Sequence, residues 1–313
     1  MKKWSIYSIV VILTVLTLNK LKAQTVTLLK TTTLESYPSA SGIEYFNGKL
    51  YIMGDDATHL LLLDTAHTPV DSVTISSHNS KRIHYTIKPD LESLTIGRYK
   101  KDIYLVAIPS FSSENRNSLY LFPLNNVKQY RTFTTPAPIT QLKKIGIVEP
   151  NLEGSAILKK QVVISNRANL SQPLNYLVNV PIKKRSLKKA SKWRRTSINL
   201  PASNNTIGIS GLEYWSDTDF LLFTASTEAT SSATADGEIG ESYLGYFTKF
   251  SNRAKNPSIS PDALINLSKE LKIGNQKIEG ICVESQTANS MILHLVTDND
   301  NGQSILYKVQ LTL

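Results

Sequence analysis

Five short segments of this chain repeat one motif, a glutamate beside small or aliphatic residues at the start of a strand-like run. They read Ser41-Gly42-Ile43-Glu44-Tyr45, Asp90-Leu91-Glu92-Ser93-Leu94, Asn151-Leu152-Glu153-Gly154-Ser155, Ser210-Gly211-Leu212-Glu213-Tyr214 and Lys277-Ile278-Glu279-Gly280-Ile281. Each is followed by a second apolar run that ends in polar residues. The glutamates stand 48, 61, 60 and 66 residues apart. A repeat at this spacing decides the architecture before anything else, and it suits the four-stranded blades of a propeller.

β-Branched and aromatic residues cluster in short runs bounded by turn residues, as strands require. The first unit predicts strands at 43–45, 50–53, 60–63 and 70–75, with a hairpin at Asn47-Gly48. The second predicts 93–96, 103–108, 119–122 and 130–134. The third predicts 155–158, 162–165, 176–180 and 195–200, and the fourth 212–215, 220–224, 243–247 and 263–267. The fifth has runs at 280–283, 291–296 and 305–311 and then the chain ends. It lacks a fourth strand, and residues 25–29 near the other end supply a spare one. The expectation is an all-β, five-bladed propeller of four-stranded blades, closed by an N-terminal strand in the last blade. Six blades remain open if 135–150 or 249–261 hides a degenerate unit. Helix is expected to be scarce, with 261–271 the one helix-competent segment.

Residues 1–23 read as a signal peptide rather than as part of the fold. Lys2 and Lys3 precede an apolar stretch, and Leu21-Lys22-Ala23 resembles a small-residue cleavage site. The stretch is shorter than the roughly 20 residues of a spanning helix, and no second long apolar stretch follows. A single domain over 24–313 is expected, secreted or periplasmic, monomeric and with no membrane span in the mature chain. The formal charge of +10 falls to +6 without the leader. Much of the remainder sits in Lys183, Lys184, Arg185, Lys188, Lys189, Lys192, Arg194 and Arg195, a solvated run with no nucleic-acid motif beside it. Cys282 is the only cysteine, so the chain forms no internal disulfide, and its apolar neighbours make it a core residue.

If the repeat glutamates begin the innermost strands, Glu44, Glu92, Glu153, Glu213 and Glu279 point at one axis. Carboxylates that close need a cation, or some stay protonated. Ca²⁺ suits such a ring because it takes six to eight oxygen ligands in loose geometry. Second-strand ends add Asp55 and Asp56, Asn166 and Arg167, Glu228, and Asp298, making one face rich in oxygen donors. Expected metal ligands are Glu44, Glu153, Glu213, Glu279, Glu228 and Asp298. Expected ligand-binding residues are Arg167, as an anion clamp, with Asn166, Asp55 and Asp56. The alternative is that the glutamates cap neighbouring strands. A polar insertion at 224–241 could fold over the mouth. The run 298–302 is an incomplete calcium loop and equally an ordinary turn. The five histidines show no metal-ligand spacing; His59, near Asp55 and Asp56, is the one nearest a candidate site.

The segments Asn151-Leu152-Glu153-Gly154, Ser165-Asn166-Arg167 and Asn175-Tyr176-Leu177, together with 224–228 and Asp236-Gly237, resemble the phytase-like group of secreted bacterial propellers. That resemblance covers most of the mature chain. It implies a calcium site at the channel mouth and, in some members, phosphoester hydrolysis. Two functional readings follow. One is a secreted, calcium-associated binding or scaffold propeller for a small anionic ligand or an extracellular partner. The other is a metal-assisted hydrolase of phosphoesters or lactones, with Glu153 or Glu213 as metal-bound acids, Asp298 as a further ligand and Arg167 holding the anion.

Overall fold

Alternating apolar residues along the predicted runs build five small antiparallel sheets. The computed structural model describes residues 24–77, 80–135, 137–158, 160–182, 192–203, 205–229, 232 and 237–313. Blade 1 is β2 (Ala40–Phe46), β3 (Lys49–Gly54), β4 (His59–Asp64) and β5 (Pro69–Thr74). Blade 2 is β6 (Leu91–Tyr99), β7 (Asp102–Pro109), β8 (Ser118–Pro123) and β9 (Arg131–Thr134). Blade 3 is β10 (Leu152–Leu158), β11 (Gln161–Asn166), β12 (Asn175–Pro181) and β13 (Arg194–Ile198). Blade 4 is β14 (Ile207–Trp215), β15 (Phe220–Glu228), β16 (Ile239–Phe247) and β18 (Ala263–Asn266). Blade 5 is β19 (Ile278–Gln286), β20 (Ser290–Thr297), β21 (Ser304–Thr312) and, on its outer edge, β1 (Thr25–Leu34).

The closure is the expected one. β1 pairs antiparallel with β21 from Thr25 opposite Thr312 to Leu34 opposite Ser304, so the two ends of the chain share one sheet. Asn47 (φ 48°) and Gly48 (φ 78°) turn the first hairpin with both central residues left-handed, as the Asn-Gly pair predicts. The six-blade alternative is overturned. The 135–150 connection contains a helix, Ala137–Lys144, whose Leu142 is fully buried. The 249–261 connection contains a short helix, Phe250–Arg253, and the two-residue strand β17 (Ser258–Ile259). β17 adds parallel to β13 and makes blade 3 five-stranded. The helix-competent segment after Pro261 divides into β18 and one helical turn, Leu267–Glu270, capped by the Asn266 side chain.

The core lies between blades. One apolar cluster joins Leu222, Leu244 and Tyr246 of blade 4 to Ile281, Leu293 and Val309 of blade 5, and another joins Tyr51 and Met53 of blade 1 to Leu94 and Phe122 of blade 2. Cys282 is fully buried, as expected, and burial pushes its thiol well up. Of the basic run, 183–191 lies outside the described residues, as do the leader and His78. Arg195, on β13, stacks on the Tyr176 ring at 4.7 Å.

The innermost strands β2, β6, β10, β14 and β19 pack each against the next and line the channel. All five break register with their second strand at the same level, between Ala40 and Gly42, Leu91 and Ser93, Leu152 and Ser155, Ile209 and Leu212, and Ile278 and Gly280. Bulges of this kind re-aim a side chain. Here the re-aimed residues are Ser41, Glu92, Glu153, Ser210 and Glu279. Just beyond them stand Gly42, Ser93, Gly154, Gly211 and Gly280, where neighbouring inner strands nearly touch. A Cβ on Gly211 would lie 2.5 Å from the Glu279 carbonyl oxygen, and one on Gly42 2.8 Å from the Leu94 nitrogen.

Candidate ligand site at the channel mouth

The small residue at this waist is the natural register mark, and against it the five glutamates are not equivalent. Glu92, Glu153 and Glu279 precede the waist. Glu44 and Glu213 follow it by two residues and face the opposite mouth. Two cavities result that share no lining residue. The expected single ring of five carboxylates, and with it the six-residue metal set containing Glu44 and Glu213, is therefore corrected to three and two.

The first mouth collects three residues per blade: the one before the bulged strand's entry, the bulged residue itself, and the one at the end of the second strand. These are Ser39, Ser41 and Asp55 in blade 1, and Asp90, Glu92 and Ser110 in blade 2. Blade 3 supplies Asn151, Glu153 and Arg167, blade 4 Gly208, Ser210 and Ser226, and blade 5 Lys277, Glu279 and Asp298. The cavity they help to frame measures about 490 Å³ and its wall carries nine carboxylates and five cations.

Arg167 organises one side. It is 5% exposed. Its guanidinium donates to Ser210 Oγ at 2.9 Å, Ser226 Oγ at 3.0 Å and Glu228 Oε2 at 2.7 Å, and stands 3.8 Å from Glu153 and 3.6 Å from Glu279. These contacts engage its donors with the chain's own acceptors, so its place is that of an internal counter-ion to three glutamates. Lys277 adds a second charge, 3.1 Å from Glu279. Burial opposes the Lys277 ammonium, but Glu279 holds its pKa well above the ordinary value. Burial lifts the Glu279 carboxyl well above the usual range against the pull of Lys277, and lifts Glu153 as well.

The other side is more acidic. Asp55, Asp90 and Glu92 each present an oxygen within 4.8 Å of the others. Lys88 bridges two of them, bonding Asp55 and lying 2.9 Å from Asp90 Oδ1. Arg116 takes Asp90 Oδ2 at 2.9 Å, and the Ser110 hydroxyl donates to the same oxygen. Arg82 holds Asp56 at 2.6 Å. Burial pushes Asp55 up to about 7 despite Lys88, with Asp298 and Asp56 adding to the rise. Glu92 is raised well above its ordinary value by burial and then by Asp90. Asp55 Oδ1 and Asp56 Oδ1 are buried without a hydrogen-bond partner among the described residues.

The remaining expected residues divide. Glu228 lines the mouth and also accepts the Gly237 N–H at 3.1 Å, tying the described end of the polar insertion to the site. Asp298 lines it while its Oδ1 accepts the Asp300 N–H at 2.9 Å, so the 298–302 run is a turn at the rim. Asn166 does not reach the cavity. It is fully buried, its Oδ1 accepts the Asn151 N–H at 2.9 Å, and it acts as a strand cap. His59 packs edge-on against Tyr37 at 5.1 Å and lines neither mouth. Sequence reasoning missed Asp90, Lys277, Lys88, Arg82 and Arg116. Asp90 and Lys277 had a signal, since each stands two residues before a repeat glutamate.

A five-bladed propeller with an ion-lined mouth is the class this fold and site define. Residues 36–311 match the model of a family of unknown function, DUF6929, and the chain belongs to that family. No match is found among curated proteins. Among solved structures the chain is similar to Myxococcus xanthus glutaminyl cyclase, at 10% identity and TM-score 0.47, covering 92% of this chain and 97% of that one. It is similar also to virginiamycin B lyase from Staphylococcus aureus, at 12% identity and TM-score 0.40, covering 93% and 99%. A member of the DUF4221 family from Bacteroides vulgatus matches at 8% identity and TM-score 0.44, covering 92% and 98%. Likeness of this degree says nothing of ligand or activity. Among the described residues, no helix is long and apolar enough to cross a membrane.

Proposed function

We propose that this protein is a binding propeller whose first mouth takes a divalent cation, Ca²⁺ by its donors, at Asp55, Asp90 and Glu92. One observation carries the reading. Three carboxylates converge within 4.8 Å, and the buried Asp55 Oδ1 among them has no partner in the described chain. A buried carboxylate oxygen left unpaired is costly, and a hard cation relieves it. Lys88 serves Asp55 and Asp90 and Arg116 serves Asp90, while Glu92 makes no close ion pair among the described residues. Asp56 and Asp298, lining the same cavity, enlarge the oxygen set. Nothing in this set offers the nitrogen or sulfur ligands that zinc favours.

Binding is favoured over hydrolysis because the guanidinium meant to hold a substrate anion is already engaged by Ser210, Ser226 and Glu228. The resemblance to phytase-like propellers supports a cation at the mouth, and the leader expected at 1–23 supports an exported protein. Outside the cell, calcium sites of modest affinity fill. The test is the melting temperature of EDTA-treated protein with and without CaCl₂. A cation at about 100 times its Kd adds about 2.7 kcal/mol, a rise of roughly 5 °C or more in a domain of this size. Glu92→Gln and Asp90→Asn should remove the rise while leaving the protein folded. A wild-type melting temperature indifferent to Ca²⁺, with no binding heat by calorimetry, would overturn the reading.

A further inference from the structure

The opposite mouth is built differently. Its cavity measures about 400 Å³ and is lined by Glu44, Tyr45 and Phe46 of blade 1 and by Glu213, Tyr214 and Trp215 of blade 4. The two strand ends carry the same tripeptide pattern, an acid followed by tyrosine and a second aromatic, at the same distance from the waist. Blades 2 and 3 fill the wall between them with Thr95, Ile96, Ala156 and Ile157, and Val283 of blade 5 completes it. Glu44 is 7% exposed, and its Oε2 accepts the Tyr45 N–H at 3.2 Å. Burial pushes the Glu213 carboxyl up to about 8 and lifts Glu44 well above its ordinary value, with the charge of Glu213 adding to the Glu44 rise. The Trp215 indole nitrogen is buried with no acceptor among the described residues.

We infer that this second mouth is a binding site for an organic ammonium ion, held between Glu44 and Glu213 and walled by Tyr45, Phe46, Tyr214 and Trp215. A concave pocket that sets aromatic walls beside a few convergent polar groups is a usual form of small-molecule site. The polar groups here set the sign of the ligand. Two carboxyls, which a bound cation would hold ionised, favour a positive ligand over an anion. Asp217, Ser216 and Thr95 also line the cavity, but the aromatic side chains that dominate its wall suit an organic cation better than the six to eight oxygens of a calcium shell. A protonated amine matches the carboxyls and the walls: N–H donors for the carboxylates, a positive charge for the aromatic faces, and an apolar body for the aliphatic side chains. The inference is independent of the cation reading at the first mouth, because the two cavities share no residue.

The experiment is a titration of the folded protein with phenethylamine, with 2-phenylethanol and phenylacetate as neutral and anionic counterparts. It is followed by Trp215 fluorescence in a Trp4→Phe, Trp193→Phe background and repeated by calorimetry on the wild type. Phenethylamine should bind, and at least about tenfold more tightly than the alcohol, the difference one good charge-assisted contact makes. Glu213→Gln should weaken it about tenfold, and Glu44→Gln combined with Glu213→Gln should bring it to the level of the alcohol. If the double variant does not fold, Trp215→Leu with an unchanged melting curve replaces it and should lose binding. Affinity should be unchanged by Glu92→Gln. No binding of phenethylamine at millimolar concentration overturns the inference. So does equal affinity for the alcohol, or full affinity in variants that retain the fold.

Discussion

Arg167 lies across the place where residue 208 would carry a side chain. A Cβ on Gly208 would stand 2.6 Å from Arg167 Nε and 2.7 Å from its Cγ. Blade 4 thus gives up its own side chain at this position of the mouth so that an arginine from blade 3 can reach Ser210, Ser226 and Glu228. Gly208→Ala should push the guanidinium off these partners. Overpacking of this kind costs about 1–3 kcal/mol, or roughly 2–10 °C in melting temperature. Thermal melts of Gly208→Ala beside Arg167→Lys would check it. A neutral Gly208→Ala would mean that the arginine has another place to go.

Arg167→Met tests the counter-ion itself. Without it Glu153, Glu228 and Glu279 remain buried with Lys277 as their neighbouring cation. Breaking a buried charge network from one side typically costs about 3–5 kcal/mol. The loss should depend on pH in a definite direction. Protonation can neutralise the stranded carboxyls, so the gap between variant and wild type should narrow as pH falls from 8 to 5. Chemical denaturation at both pH values would measure it, and a gap that widens in acid would contradict the role.

The blade count and its closure were legible because a strand period and a spare terminal run are both properties of local sequence. The division of the glutamates was not, since Ser41-Gly42-Ile43-Glu44 and Leu152-Glu153-Gly154 look alike when aligned on the acid. Aligned on the small residue that the tight waist demands, they differ by three positions and belong to opposite mouths. Lys88, Arg82 and Arg116 come from irregular connections that carry no period, and only the fold brings them to Asp55, Asp56 and Asp90. Asn166 misled for the opposite reason. It sits beside Arg167 in sequence, but successive residues of an extended chain face opposite ways.

Lys88 acts in this structure as a resident cation. Lys88→Met should lower the melting temperature in EDTA, because Asp55 and Asp90 lose their shared ammonium. It should also enlarge the stabilisation by Ca²⁺, since the metal no longer competes with a bound charge. The comparison is of the calcium-induced shift in variant and wild type. A smaller shift in Lys88→Met would show that the ammonium supports the metal rather than excluding it.

The closure seam contains a buried relay of two histidines. His67, in the turn after β4 of blade 1, meets His294 of β20 with Nε2 3.1 Å from Nδ1. Thr32 Oγ1, on β1, lies 2.9 Å from His67 Nδ1, and Glu284 Oε2 2.6 Å from His294 Nε2. Burial works against the Glu284 carboxylate, but Lys308 and His294 hold it ionised. An ionised Glu284 makes His294 Nε2 the donor. Nδ1 is then an acceptor, so His67 Nε2 donates and its Nδ1 receives the Thr32 hydroxyl. Both rings are neutral in this chain, and burial brings each down to about 4 from 6.5. The unfolded chain binds more protons in that interval. The stabilisation from the pair is therefore complete above about pH 6.5 and is lost as pH falls toward 4. Buried carboxyls such as Glu92 and Glu279, raised by burial, act in the opposite sense. The readout is therefore the difference between wild type and His294→Gln. The variant should be the less stable at pH 7.5, and the gap should shrink steadily toward pH 4.5. A gap that stays constant across that range would show that the rings are not held neutral at the seam.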